Sequence, residues 1–422
     1  MRTGWIRLWR WTAYAGLGLS LYGGWLTVDD FRDRASSERA IATACSDLVP
    51  GVAVMDLRGG MVRVHAYKGG LVPDYPSGAC TVYRVTGPDA NDALFTLEAR
   101  RSGDITGPDG SAAPTHVIGD ELGNPESPFD YFARRGVART DGRRADVTAV
   151  AARAEPRPLG DGTLGWYGDS YATVRAECGP SSRSSAPALL TVTTRAAYAP
   201  VSGADRERLA ALARTAVRTL ADRTGCATHL PALPDHLAAA PTALRPARTA
   251  TGTCKWLADH LAARGRGRLP DRVLDTPARA ANPQETCLMA VGPQQVSRIA
   301  AGLDRDDRSA ARSALTHSPW WLRTASYFGA EADTVGYKDS GPDREVLIEP
   351  GSAGGKLKGI WWASSVCDGK PALHTLTSSY NYDGVLDNRT LSALFRAYVD
   401  DITTRRGCTH VTFPDAKDFR VV

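Results

Sequence analysis

The sequence predicts an α+β fold of two tandem duplicated domains, each an antiparallel sheet with helices packed on one face, preceded by one N-terminal transmembrane helix. Three observations support this prediction. The eight cysteines fall into two sets of four, short sequence words recur around both sets in the same order, and an uncharged run follows an arginine-containing N-terminus. Recurrence of several words in register indicates an internal duplication.

The repeat is clearest around the last helix of each half. Residues 187–193 share the pattern Pro-Ala-Leu-x-Thr-x-Thr with residues 371–377. Further along, nine residues of the first half are identical to the residues that lie 182 positions later in the chain. They are Asp205, Leu209, Ala211, Leu212, Arg214, Val217, Arg223, Gly225 and Cys226. We therefore expect repeat domains at 36–230 and 251–422, joined by an Ala/Pro linker at 231–250.

The N-terminal segment predicts a membrane anchor. Arg2, Arg7 and Arg10 form a short basic tail at 1–10, and the following run over 11–28 carries no charge. A helix of that length spans about 27 Å, near the lower limit for a hydrocarbon core. Basic residues before the run place the N-terminus in the cytoplasm and both domains outside the cell membrane. A cleaved signal peptide and a buried core helix remain alternatives.

An extracytoplasmic location predicts that the cysteines form disulfides. The chain contains no Cys-x-x-Cys word, which argues against a zinc site, and no metal or cofactor site is predicted. The repeat leaves three schemes in which both halves pair alike. Pairing of sequence neighbours is the expected scheme: Cys45–Cys80, Cys178–Cys226, Cys254–Cys287 and Cys367–Cys408.

The first half begins with a helix that carries Cys45 and continues with strands. We expect strands over 52–55, 61–66, 80–85, 94–99, 171–178 and 189–194, the first two forming a hairpin. Residues 101–128 are rich in Gly, Pro, Asp and Ser and predict a mobile loop.

The most regular helix pattern covers 209–220 in the first half and recurs over 391–402 in the second. Asp205 and Asp387 are the expected N-caps, and Gly225 and Gly407 are expected to end the two helices.

Composition and motifs argue against several function classes. The net charge is +5, but acidic residues are mixed with the basic ones throughout, which argues against nucleic-acid binding. The word Gly168-Asp169-Ser170 resembles the nucleophile word of GDS-type lipases, yet no histidine has an aspartate three residues before it, so a turn is expected there. His229 and His410 follow their cysteines at different spacings and are expected on the surface.

Tryptophan is the main feature that distinguishes the second half from the first. Trp361 and Trp362 alternate across a predicted strand, and alternation turns one of the two outward. We expect a partner surface for a protein, peptide or glycan around Trp320, Trp321 and Trp361, with the 101–128 loop as a lid. The alternative is that these rings fill the second core.

The chain combines an N-terminal anchor, a Cys-x-x-Leu word that opens a helix and a Gly-Cys word that ends the last helix. This combination resembles exported, membrane-anchored actinobacterial proteins of unknown function with tandem disulfide-containing domains. The resemblance implies a cell-surface location and assigns no functional residues. We expect an anchored extracytoplasmic binding or scaffolding protein; the alternative is a secreted hydrolase whose site is not visible in the sequence.

Overall fold

The structure is a computed structural model, and it describes part of the chain. The described residues are 14, 30–60, 63–69, 71, 78–87, 90–102, 116–118, 155–183, 186–241, 243–305, 307–316, 318–338, 345–356, 359–379 and 382–419. The predicted anchor at 11–28 lies outside these residues except for Tyr14. Within the described ranges, we find no helix with the length and apolar character needed to cross a membrane.

Helices and strands alternate along the chain. The helices are α1 (30–44), α2 (Gly51–Met55), α3 (Gly203–Thr224), α4 (Lys255–Arg264), α5 (Pro293–Ala301), α6 (Asp307–Thr316), α7 (Tyr382–Val385) and α8 (Asn388–Arg406). The strands of the first half are β1 (Val64–Gly69), β2 (Gly78–Gly87), β3 (Ala90–Arg101), β4 (His116–Ile118), β5 (Arg157–Pro158), β6 (Gly165–Tyr167), β7 (Tyr171–Glu177) and β8 (Leu189–Ala196). Those of the second are β9 (Arg245–Pro246), β10 (Arg272–Asp275), β11 (Gln284–Ala290), β12 (Trp321–Phe328), β13 (Val335–Lys338), β14 (Glu345–Leu347), β15 (Gly354–Lys356), β16 (Ile360–Cys367), β17 (Lys370–Ser378) and β18 (Thr409–Thr412).

Two large antiparallel sheets form the frame of an α+β fold. The first has the order β1-β2-β3-β8-β7-β6-β5, and the second has the order β9-β10-β11-β12-β17-β16-β15, with β18 also paired to β16. The six strands β1, β2, β3, β8, β7 and β6 therefore have counterparts at the same relative places: β10, β11, β12, β17, β16 and β15. The predicted fold class is confirmed at this level.

Each sheet carries a long helix on one face. In α3 the apolar stripe includes Leu209, Leu212 and Val217, which pack into one buried cluster with the β7 and β8 side chains. In α8 the matching stripe includes Leu394 and Val399 in a second cluster. Burial of each such aliphatic side chain contributes roughly 1.5–3 kcal/mol, so these stripes hold the helices on the sheets.

All four predicted disulfides are present: Cys45–Cys80, Cys178–Cys226, Cys254–Cys287 and Cys367–Cys408. In each half one bond ties the first helical segment to a strand. This strand is β2 in the first half and its counterpart β11 in the second. The other bond ties the second residue after the long helix to the end of a strand: Cys226 is bonded to Cys178, directly after β7, and Cys408 to Cys367, the last residue of β16. No described cysteine is free.

The ends of the long helices follow the expected capping chemistry with one correction. Asp387 caps α8 by accepting a hydrogen bond from the Thr390 amide at 2.7 Å, as predicted. Ser202, not Asp205, caps α3, because the Ser202 hydroxyl accepts from the Asp205 amide and leaves Asp205 in the first turn. Gly225 and Gly407 adopt the left-handed conformation, φ 70° and 63°, that ends each helix.

The strand expected over 52–55 is instead the helix α2, with Pro50 before it and Val54 and Met55 buried. A short apolar run is compatible with a strand or a helix turn, and the packing decides between them.

The predicted linker is packed rather than free. The Leu237 carbonyl accepts a hydrogen bond from Arg206, and the Ala240 amide donates to Asp169. At its end, β9 pairs with β10 as an edge strand of the second sheet. The linker therefore lies against the first half and enters the second sheet.

Candidate functional site

The two large sheets meet through the faces that carry no helices. Along β7, Val174 and Ala176 join the helix-side core, while Arg175 alternates with them and points away. Along β12, Leu322 joins the helix-side core of the second half, while Arg323 points away. Both arginines are buried because the other half covers them.

One contact between the halves is a buried ion pair of Arg323 with Glu155. The Arg323 Nε lies 3.2 Å from both carboxylate oxygens, and its Nη2 lies 3.1 Å from Oε2. The neighbouring phenol of Tyr171 is affected, because burial, together with the negative charge of Glu155, raises its pKa to about 12. A bidentate buried pair restricts the orientation of the two halves more than apolar contact does.

A second contact is a network around the fully buried carboxylate of Glu331. Arg175 Nε donates to Glu331 Oε1 at 2.7 Å, and His116 Nε2 lies 2.8 Å from Glu331 Oε2. Burial raises the pKa of Glu331, but the His116 hydrogen bond and the Arg175 charge outweigh it and leave this pKa below its ordinary value. Glu331 is therefore an ionised carboxylate that joins residues from separate parts of the chain.

The strand β4 delivers His116 to this network. β4 pairs in parallel with β13, with His116 opposite Val335 and Ile118 opposite Tyr337. The Ile118 side chain is buried in a small apolar cluster with residues of β12, β13, β16 and β17. This part of the predicted mobile loop is thus a strand that crosses to the second half. The remaining residues of that loop, 103–115 and 119–128, lie outside the described residues.

A cleft of about 380 Å³ opens beside the Arg175 network, between the two halves. Its lining comes from both: Thr163, Arg175, Ala176, Glu177, Thr228, His229 and Pro231 on one side, and Ala280, Ala281, Asn282, Pro283, Phe328, Gly329, Cys367, Asp368, Lys370 and Arg406 on the other. The volume is near the lower end of the range for small-molecule sites.

The cleft walls are held in place by close contacts. Gly162 has φ 103°, and a Cβ there would lie 2.8 Å from the Asn282 Cα, so a glycine is needed where the halves approach. Arg406 donates to the buried carboxylate of Glu285 and stacks on the Phe328 ring, with 4.1 Å between the guanidinium carbon and the ring centre. The hydrogen bonds and stacking of Arg406 fix one wall.

Two cations, one from each side of the cleft, share one carboxylate. Glu177 Oε1 accepts a hydrogen bond from Arg175 Nη2 at 2.7 Å, and Glu177 Oε2 lies 3.6 Å from Lys370 Nζ. Partial burial raises the pKa of Glu177, but both cations act against it and hold that pKa below its ordinary value. The cleft can therefore bind charged groups through preformed donors and acceptors.

A separate polar cluster lies inside the second core. His374 is fully buried, and its two ring nitrogens lie 2.7 Å from Ser326 Oγ and 2.8 Å from Ser365 Oγ. Ser326 also lies 2.6 Å from the Tyr398 hydroxyl. Burial lowers the pKa of His374 to about 3, so the ring is neutral. Because the sheet and α8 enclose this cluster, we assign it a packing role.

The structure places the predicted tryptophan surface mostly in the core. Trp320 is 1% exposed and stacks on Tyr382, and Trp361 is 2% exposed and stacks on Phe419. Only Trp321 is half-exposed. The correction has a simple cause: α7 and the C-terminal turn that follows β18 cover rings that the strand alternation alone leaves open.

The Gly168-Asp169-Ser170 word and His229 lie where the sequence predicts. Gly168, Asp169 and Ser170 form the turn between β6 and β7, as predicted, with the Gly168 amide bonded to the Tyr171 carbonyl. His229 is exposed, as expected, and lies at the rim of the cleft. Arg175, Glu177, Glu331 and Lys370 are among the site residues that the sequence did not indicate, since none was part of a recognised motif.

Comparison with known proteins identifies no relative. No family model, no curated protein and no solved structure matches this chain. Among the described residues, no group of three or more His, Cys, Asp or Glu side chains is placed to hold a metal ion.

Proposed function

We propose that this protein is a membrane-anchored extracytoplasmic binding protein whose ligand occupies the cleft between two copies of one domain. The observation that carries the binding role is the cleft itself, because both halves build its walls and buried ion pairs hold those walls in register. A preformed polar cleft at a domain boundary is the usual place for a small-molecule site.

Duplication of one domain is supported by two correspondences. Six strands occur at equivalent places in both sheets, and two disulfides occur at equivalent places in each half. The domain limits of 36–230 and 251–422 remain part of the proposal, as does the likeness to exported actinobacterial proteins.

The four disulfides support an extracytoplasmic location, since such bonds persist in oxidising compartments. The basic residues Arg2, Arg7 and Arg10 support a cytoplasmic N-terminus followed by a single membrane segment. A periplasm-type or extracellular reporter fused after Val422 should be active, and changing these three arginines to Glu should reduce that activity. Activity from a cytoplasmic reporter alone would contradict the orientation.

The cleft lining favours binding over nucleophilic hydrolysis. Its described residues include no serine, and its cysteine, Cys367, is bonded to Cys408. The serines that do contact a histidine, Ser326 and Ser365, are enclosed in the core. A ligand in the cleft would meet charged groups and threonine hydroxyls instead.

A variant that fills the cleft tests the binding role. Ala281 lines the cleft and is exposed, so Ala281→Trp should occupy the space without disturbing a core. Ala278 is exposed in the same loop outside the lining, and Ala278→Trp is the matched control. Small molecules that copurify with the full chain are released by denaturation and identified by mass spectrometry.

We expect at least one molecule to be present with the wild type and Ala278→Trp and absent with Ala281→Trp. The same set of molecules in all three samples, or none in any, would contradict a ligand in the cleft.

A further inference from the structure

We propose that the cleft takes a small anion, a carboxylate or phosphate group, between Arg175 and Lys370. This inference rests on the proposed function, because it names the class of ligand for the same cleft. The inference depends on the hydrogen-bond donors that line the cleft. Some of these donors already have protein partners, and others face the cleft without one.

Arg175 is a fixed cation with unused donors. Its side chain is 6% exposed, and its bonds to Glu331 and Glu177 use Nε and Nη2. Nη1 has no hydrogen-bond partner among the described residues, and it is not one of the buried unsatisfied atoms, so it reaches the solvent of the cleft that Arg175 lines. A guanidinium held in one orientation is a preorganised donor for a carboxylate or phosphate.

Lys370 adds a second positive charge from the other side of the cleft. Its side chain is 62% exposed, and Glu177 Oε2 at 3.6 Å is its only ion-pair partner among the described residues. Glu177 therefore stands between the two cations, with one oxygen near each. An anionic ligand would contact the same two cations and compete with Glu177 for them.

The other charged groups of the lining fit this assignment. The donors of Arg406 are taken by Glu285 and by the carbonyls of Arg279, Ala280 and Asn282. Asp368 is the remaining carboxylate, and it makes no ion pair with a described residue. A cationic ligand would find only Asp368 unoccupied, since Glu177 already has two partners. The free donors of Arg175 and Lys370 therefore favour an anion.

Three single substitutions test the sign of the ligand charge. Lys370→Glu reverses a cleft charge, and Lys417→Glu is the control, because Lys417 is similarly exposed and similarly paired, 3.4 Å from Asp415, outside the cleft. Glu177→Gln removes the competing carboxylate at a position that is 43% exposed. Arg175 itself is left intact, because its loss would leave Glu331 buried without its cation.

The measurement is the melting temperature of the full-length chain in detergent as inorganic phosphate or succinate replaces chloride at constant ionic strength. We expect saturable stabilisation of the wild type and Lys417→Glu, with an apparent Kd that is about tenfold weaker or worse in Lys370→Glu. Glu177→Gln should bind more tightly than the wild type. Saturation with phosphate alone would indicate a phosphate source, and saturation with succinate a carboxylate source.

Equal responses of Lys370→Glu and Lys417→Glu would overturn the proposal, as would weaker anion binding by Glu177→Gln. Choline serves as a cationic probe. If choline stabilises the wild type and Ala281→Trp abolishes that effect while neither anion binds, the anion assignment fails and the cleft function stands. If no probe responds to Lys370→Glu and no copurified molecule responds to Ala281→Trp, both proposals fail.

Discussion

Each large sheet has one face covered by helices and one face that meets the other half of the chain. Different kinds of contact hold these two faces. The helix-bearing faces are apolar in both halves, with Leu212 and Val217 of α3 matched by Leu394 and Val399 of α8. The facing surfaces carry buried charged groups and differ between the halves, with Arg175 on one sheet and Arg323, beside an apolar cluster that includes Tyr327, on the other. The helix-bearing face is therefore alike in both halves, whereas the helix-free face differs between them.

The difference separates the contacts that build the cores from those that shape the proposed cleft. Apolar burial is proportional to area and has little directionality, so a repeated pattern can build a core twice. Buried ion pairs need specific partners and leave nearby donors in fixed positions, which is the property that a binding cleft uses. Variants of both kinds of face test this separation.

The largest effect is expected at the facing surfaces. Arg323→Met leaves the Glu155 carboxylate buried without its cation and should lower the free energy of unfolding by about 3–5 kcal/mol. Combining it with Glu155→Leu should restore most of that loss, because the orphaned charge is removed. Urea denaturation of the single and double variants measures both effects.

The exposed pair of Arg34 and Asp56 is the control for this prediction. Their side chains are 36% and 43% exposed, and Arg34→Met should cost less than about 1 kcal/mol. If Arg323→Met costs no more than the control, the facing surfaces are not held by this pair.

Removal of matched disulfides tests the repeated faces. Replacing Cys178 and Cys226 by Ala, or Cys367 and Cys408, should cost about 2–5 kcal/mol in each case. The sequence separations of 48 and 41 residues differ little in loop-closure entropy, so the two losses should be nearly equal. Chemical denaturation measures both variants under the same conditions. A loss confined to one half would show that the two helix faces are not equivalent.

The buried histidine of the second core predicts an acid-dependent loss of stability. The pKa of His374 is about 3 in the fold and 6.5 in its ordinary state, so the unfolded chain binds a proton that the folded chain does not. Stability from this residue is therefore complete above pH 6.5 and falls by up to ~1.4 kcal/mol per pH unit as the pH drops toward 3.

The comparison of His374→Gln with the wild type isolates this effect. The glutamine variant should show a shallower decrease of the unfolding free energy between pH 6.5 and pH 4. Ser365→Ala keeps the histidine and should keep the slope at lower overall stability. Parallel curves for the wild type and His374→Gln would contradict the assignment.

The smallest effects are expected at the helix caps. Ser202→Ala and Asp387→Ala each remove a side-chain acceptor from a helix N-terminus and should cost about 1 kcal/mol. Thr219→Ala, at an exposed position within α3, should change stability much less. Thermal unfolding distinguishes these values. Equal losses at Ser202 and Thr219 would mean that the cap contributes nothing specific.

Local patterns predicted the elements that recur. The 3.6-residue spacing over 209–220 and 391–402 identified both long helices, and the glycines before Cys226 and Cys408 identified their ends. The paired spacings of the cysteines identified all four disulfides. These features depend on neighbours in the chain, so a short stretch of sequence contains the information that specifies them.

Other features depended on distant contacts. Residues 52–55 form a helix and β4 lies within a predicted loop, because packing decides the conformation of short segments. Trp320 and Trp361 are buried because α7 and the C-terminal turn cover them. Periodicity indicates that one face of a strand is apolar, but it does not show what covers that face.

The sequence alone specified the two helix-side cores, the C-terminal ends of the long helices and the cysteine pairs. The tertiary structure alone decided that the helix-free faces meet and that the Arg175 donors open into a cleft. Arg175 and Glu331 are 156 residues apart, and Arg323 and Glu155 are 168 apart. Their pairing has no local signal, because an ion pair between distant residues depends on the positions that both halves of the chain take after folding.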